Sequence, residues 1–161
     1  MLKPGDRAPQ FELKDGDGRT WRLSEIGERV VVYFYPADET PGCTLEACDF
    51  RDSRDDLAQA GYTVLGISPQ DAASHRSFAT NHGLNFPLLV DDRLEAAKAY
   101  GAVRDEEGSY EGIPLKVARS TFVIDDQGEI VEAIYGVKAK GHLQDVKSRL
   151  GIASRENSPN C

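Results

Sequence analysis

The chain has 161 residues and a formal net charge of −8. That length suffices for one domain with a substantial core. The acidic balance argues against nucleic acid or an anionic membrane as the main partner, and no apolar run is long enough to span a bilayer.

Phe11-Glu12-Leu13-Lys14 and Thr20-Trp21-Arg22-Leu23 alternate apolar and polar residues around the turn-rich Asp15-Gly16-Asp17-Gly18, which predicts a β-hairpin. The Asp-Gly-Asp-Gly run lacks the later glutamate of an EF-hand loop, so a turn is expected there and not a calcium site. Trp21 is expected to pack on the hairpin. Ser24–Gly27 reads as a short helical turn.

Val30-Val31-Val32-Tyr33-Phe34-Tyr35 is a run of β-branched and aromatic residues, the pattern of a strand buried on both faces. Pro36 ends it, because proline cannot donate to a sheet ladder. After a polar loop, Thr40-Pro41 signals a helix start, with a hydroxyl at the N-cap and proline at the first helical position. Cys43 then falls in the first turn, where unpaired N–H groups and the helix dipole stabilise an anion. A thiol in that place gives up its proton more readily, and the thiolate is the reactive species. Cys43 is therefore the candidate nucleophile.

The helical pattern runs from Thr44 to about Ala60 and stops at Gly61. Tyr62–Ser68 is a second buried strand, Asp71–His82 a helix capped by Asp71 and stopped at Gly83, and Phe86–Asp91 a shorter strand containing Pro87. Arg93–Tyr100 is a short helix. Residues 102–118 are expected to be irregular, which in a compact domain marks a functional or mobile loop. Ser120–Asp125 and Glu129–Gly136 form a strand–turn–strand, and His142–Leu150 a last amphipathic helix. A polar tail follows from Gly151 to Cys161. The expected organisation is one domain over residues 1–150 with a tail over 151–161. Strands alternating with helices and closed by a hairpin and a helix give an α/β fold with the sheet covered on both faces. That order is a thioredoxin-like arrangement, a central mixed sheet with an N-terminal β-hairpin extension.

Three cysteines, an odd number, follow a start (Met1–Asp6) without an apolar signal region or transit character. This favours redox or catalytic thiols in a reducing, cytoplasmic setting. Cys43 and Cys48 lie about 140° apart around an ideal helix and about 7.5 Å along it, so their Cα atoms are roughly 8.6 Å apart. A disulfide needs them within about 7 Å, so the pair can bridge only if the first turns unwind. Cys43, Ala47, Phe50 and Leu57 share one face, toward the body of the protein, while Cys48 points away from that stripe. The spacing is not that of a zinc pair. His75, His82 and His142 show no catalytic spacing, and surface or helix-facing roles are expected for them.

The run Pro36-Ala-Asp-Glu-Thr40-Pro-Gly-Cys43 resembles the Pro-x-x-x-Thr/Ser-x-x-Cys signature of peroxiredoxins. Its continuation to Cys48 is similar to the bacterioferritin comigratory protein/peroxiredoxin Q subfamily. Arg119–Asp125 resembles that family's arginine-bearing strand, and Gly5–Phe11 matches its opening; together they cover roughly residues 3 to 150. The resemblance implies a peroxidase reducing hydrogen peroxide and organic hydroperoxides without a cofactor or metal. Cys43 would be the peroxidatic thiolate, Thr40 a hydrogen-bond partner of peroxide or thiolate, and the Gly42 and Cys43 N–H groups would hold the oxygens. Pro36 would shield the pocket, Arg119 supply positive charge, and Glu46 orient that arginine. Cys48 would resolve the sulfenic acid into a disulfide reopened by thioredoxin or a similar dithiol, and the subfamily favours a monomer. Two other readings stay open: a thioredoxin-type thiol–disulfide oxidoreductase, and a redox sensor in which oxidation only unfolds the helix. Cys161 departs from the pattern and is expected to be a spare thiol.

Overall fold

The computed structural model describes residues 1–153. The tail expected from Gly151 lies outside the described residues from position 154 on, and the role expected of Cys161 falls there too. The N-terminal hairpin pairs β1 (Glu12–Asp15) with β2 (Thr20–Arg22), antiparallel, and α1 (Leu23–Ile26) follows. Its turn closes on Asp15, whose carboxylate accepts from the backbone N–H of Asp17 and Arg19 and from Trp21 Nε1.

Then come β3 (Arg29–Phe34), α2 (Pro41–Gln59), β4 (Tyr62–Ser68), α3 (Ala72–His82), β5 (Leu88–Val90) and α4 (Glu95–Tyr100). The segment expected to be irregular carries a small hairpin, β6 (Ser109–Tyr110) with β7 (Ile113–Pro114). The chain closes with β8 (Ser120–Ile124), β9 (Ile130–Ile134) and α5 (His142–Arg149).

Seven strands make one mixed sheet in the order β2-β1-β5-β4-β3-β8-β9. β3 is central, parallel to β4 and antiparallel to β8. Its alternate residues feed two cores, as the period of two in a strand requires. Val30, Val32 and Phe34 pack with Leu65, Ile67 and Tyr100 on one side, while Val31, Tyr33 and Tyr35 meet Phe50, Leu57 and Phe78 on the other. The thioredoxin-like architecture expected from the element order is the one observed. β5 lies inside the sheet between β1 and β4, so Pro87 marks a strand start and not an edge.

The helix signals act as their chemistry dictates. Asp71 caps α3 by accepting from Ser74 N–H at 2.8 Å, and Gly83 ends it in the left-handed region at φ 60°. α2 begins earlier than its apolar pattern, at Pro41, because proline's fixed φ suits the first helical position. Its second half is tied to α5 by Lys147 Nζ, 3.2 Å from Asp56 Oδ2, and both side chains are largely buried. Among the described residues no helix is long and apolar enough to cross a membrane.

Gly66 in β4 shows how tightly the sheet packs. A Cβ there would lie 2.9 Å from Leu88 Cδ2 and 3.0 Å from the Tyr33 hydroxyl. Gly66→Ala should therefore destabilise the fold by about 1–3 kcal/mol through overpacking, read as a lower urea midpoint at unchanged m-value.

Candidate active site

The site forms where the central strand stops. The ladder runs one residue past β3, with Tyr35 N–H donating to Ile67 C=O at 3.0 Å, and Pro36 ends it. Pro36 to Asp38 stay buried as the chain crosses to α2. Thr40 holds the N-cap position with extended backbone and Pro41 follows it, but its side chain makes no cap bond. The hydroxyl instead donates to Ala37 C=O at 2.8 Å. This corrects the sequence expectation of a capping hydroxyl: its single proton is used within the loop.

Cys43 sits in the first turn of α2, 1 % exposed, as a free thiol. The Thr44 N–H already reaches Thr40 C=O at 2.8 Å; those of Gly42 and Cys43 come before it and have no helical acceptor by position. Ala47, Phe50 and Leu57 share the Cys43 core, as their helical spacing predicts.

Arg119 arrives from the neighbouring strand, just before β8. The β3–β8 register pairs Phe34 with Ser120, which sets Arg119 beside the end of the strand that leads to the cysteine loop. Its own C=O accepts from Val137 N–H at 3.0 Å. The guanidinium donates from Nη1 to Glu46 Oε1 at 2.6 Å and from Nη2 to Cys43 Sγ at 3.3 Å. Gly42 makes room for it, since a Cβ there would stand 3.1 Å from Nη2. Burial pulls the guanidinium pKa down, but Glu46 and Cys43 more than reverse this and leave it above the ordinary arginine value. Arg119 stays charged.

Glu46 is 1 % exposed, and its Oε2 has no hydrogen-bond partner among the described residues. Burial raises its pKa from the usual carboxyl value to about 7, against the opposing pull of Arg119. Burial likewise pushes the nearby Tyr33 hydroxyl well above its usual range, with the charges of Glu46 and Cys43 adding to the effect. His142 meets Thr121 Oγ1 at 2.7 Å through Nε2, and burial lowers its pKa to about 4. It is neutral at neutral pH.

Five of the six residues singled out from the sequence (Pro36, Thr40, Cys43, Glu46 and Arg119) line this one junction. Cys48 differs from expectation. It lies off the Cys43 stripe but is 3 % exposed, not outward. It is disulfide-bonded while Cys43 is free, so the two are not joined to each other. α2 is helical without interruption from Pro41 to Gln59, the state in which the two sulfurs cannot bridge.

Sequence reasoning missed the residues that hold the loop. Asp38 and His75 are 3 % and 1 % exposed and meet through Oδ2 and Nδ1 at 2.6 Å. His75 and His142 are buried, contrary to a surface role. Only their place on the inward faces of α3 and α5 could have signalled it.

A family model for the AhpC/TSA family matches residues 4–133. A putative peroxiredoxin of Mycobacterium tuberculosis is 47% identical over 152 residues, covering 94% of this chain and 96% of that one. Peroxiredoxin Bcp of Bacillus subtilis is 41% identical over 153 residues, covering 92% and 95%. Among solved structures, a cysteine-to-serine variant of Xylella fastidiosa PrxQ superposes with a TM-score of 0.85 at 31% identity, covering 94% and 96% of the two chains. The Xanthomonas campestris bacterioferritin comigratory protein, studied for alkyl peroxide reduction, gives 0.80 at 31%, covering 94% and 96%.

The raised Glu46 pKa is a stability statement. Between the unfolded carboxyl value and about 7, the unfolded chain has lost the proton that the folded protein still holds. Stability from this group is therefore complete at acid pH and is lost as pH rises through about 7, by about 3 kcal/mol. Urea unfolding from pH 5 to 8 should show this decline in the parent chain. Glu46→Gln, which keeps an acceptor for Arg119, should flatten it.

Proposed function

The chain belongs to the AhpC/TSA family, within its Bcp/peroxiredoxin Q group, and from that premise we propose that Cys43 reduces hydroperoxides as a thiol-dependent peroxidase. The observation that carries the assignment is the Arg119 guanidinium, held by Glu46 at 2.6 Å and aimed at Cys43 Sγ at 3.3 Å. A fixed cation there favours the thiolate. It also stabilises the charge that grows on the departing oxygen.

The Cys43 thiolate attacks the terminal oxygen of ROOH. The S–O bond forms as the O–O bond breaks, Cys43 becomes a sulfenic acid, and RO⁻ leaves to take up a proton as ROH. The Thr40 proton is given to Ala37 C=O, so toward the pocket its oxygen can only accept. It takes a hydrogen bond from the peroxide O–H, while the first-turn N–H groups of Gly42 and Cys43 and the Arg119 guanidinium donate to the peroxide oxygens. Pro36, buried at the strand end, keeps water from the thiolate.

Cys48 is the resolving thiol in this reading, and it can serve only from the fully reduced protein. After the first turns of α2 unwind, its thiol attacks the sulfenic sulfur, a disulfide forms and water leaves. A dithiol of the thioredoxin type, oxidised in turn, restores both thiols. Every residue of the scheme lies within residues 1–150, which we take as the catalytic domain. The protein is read as a monomer on the strength of its subfamily, and as working in a reducing, cytoplasmic setting on the strength of its odd cysteine count.

Stopped-flow oxidation of the reduced protein by hydrogen peroxide tests the assignment. The parent chain should react orders of magnitude faster than a free thiol at neutral pH. Cys43→Ser should abolish peroxide consumption, Cys48→Ser should leave the first oxidation intact, and Thr40→Val should slow it roughly 100-fold. A parent rate near that of a free thiol would remove the peroxidase reading and favour a thiol–disulfide oxidoreductase.

A further inference from the structure

The loop that carries Thr40 to Cys43 is held by a helix that contributes nothing to the reaction centre itself. Asp38, buried in that loop, accepts three hydrogen bonds: from Tyr35 OH at 2.6 Å, from Ser74 Oγ at 2.7 Å and from His75 Nδ1 at 2.6 Å. His75 Nε2 lies 2.9 Å from Leu89 C=O. A carbonyl can only accept, so Nε2 donates to it, and Nδ1 faces the Asp38 carboxylate. The pair thus ties the loop to α3 and, through Leu89, to β5.

The backbone N–H of Asp38 donates to Gln70 Oε1 just before α3. That N–H belongs to the same peptide unit as Ala37 C=O, which accepts the Thr40 proton. One peptide plane is therefore held at both edges, by Gln70 and by Thr40, and the bonds to the Asp38 side chain oppose its turning. Next in the chain, Glu39 adopts φ 63°, a conformation that costs a non-glycine residue energy. Its carboxylate accepts from Asn81 Nδ2 at 2.7 Å and His82 Nε2 at 2.5 Å, again on α3.

We infer that Asp38, His75 and Gln70 are positioning residues: they fix the Ala37–Asp38 peptide so that the Thr40 hydroxyl presents a lone pair, not its proton, to the peroxide. If the peptide turned, Ala37 C=O would no longer take the Thr40 proton. The hydroxyl could then turn its proton toward the pocket, and the acceptor for the peroxide O–H would be gone. Hydrogen bonds of this kind are sensitive to displacements well under an ångström at a preorganised site.

The inference rests on the reading of Cys43 and Thr40 given above, and its test separates the two. Reduced parent protein, His75→Phe, Gln70→Met, Thr40→Val and the two doubles with Thr40→Val are compared in two reactions of Cys43. One is oxidation by hydrogen peroxide; the other is alkylation by iodoacetamide, which needs the thiolate but no acceptor for a peroxide proton. Each α3-side variant should slow peroxide oxidation by roughly tenfold or more, the rate equivalent of about one hydrogen bond. Alkylation should stay within about twofold of the parent or rise.

In the Thr40→Val background the same substitutions should have almost no further effect, because the group they position is gone. His75→Asn, which keeps a donor for Asp38, should recover most of the peroxide rate. Gln70 is partly exposed, so its variant remains informative if His75→Phe does not fold. Equal losses in both reactions, full additivity with Thr40→Val, or a parent-like peroxide rate in Gln70→Met would overturn the inference. A parent chain that is itself slow with peroxide would instead overturn the function on which it rests.

Discussion

The distances in the Cys43 site depend on the ladder between β3 and β8. With Phe34 paired to Ser120, the arginine that precedes β8 and the loop that follows β3 leave the sheet at the same end. A slip of one residue would send Arg119 to the opposite face. That register is enforced by two cores at once, since Val31 and Tyr33 look one way and Val32 and Phe34 the other. Few positions in a sheet are specified so strongly, and the chemistry is attached to one of them.

On that frame the site resolves a conflict of charge. A thiolate formed at Cys43, which is 1 % exposed, would need a partner charge, and a lone guanidinium beside it would itself be costly to bury. Glu46 completes the group but is buried as well, and so its carboxyl holds a proton up to about pH 7. The cost falls on the carboxylate, away from the sulfur. Gly42 contributes by what it lacks, because the guanidinium occupies the space where a side chain would begin.

A second conflict is mechanical. In the proposed scheme the reacting turn has to be rigid while peroxide is reduced and has to unwind for Cys43 and Cys48 to meet. Beyond the cysteines α2 is anchored by Arg51, which donates to His82 C=O at 2.7 Å, and by Asp56, which meets Lys147. In its first turns Cys43 and Glu46 are held by Arg119, and the preceding loop is held by α3 through Asp38 and Glu39. Rigidity of the loop thus comes from a neighbouring helix, and any unwinding of the first turns of α2 has to release the Arg119 contacts to Cys43 and Glu46.

Much of this was legible in the residues themselves. The buried strand, the stop at Pro36, the start at Thr40-Pro41 and the inward stripe of Cys43, Ala47 and Phe50 follow from local propensity and period, which act over a few residues. Their order along the chain was enough for the fold class, and the motif together with Arg119 was enough for the family. Tertiary structure decided the rest, because each remaining feature joins residues far apart in sequence. The proton of Thr40 went to Ala37 C=O and not to the helix end, Cys48 was buried, and Asp38 found His75 across 37 residues. A lone aspartate in a loop carries no period, and the place of His75 on the inward face of α3 says that it is buried but not against what. Only the packing of α3 against the cysteine loop brings the two together, and burial then obliges each to keep the other.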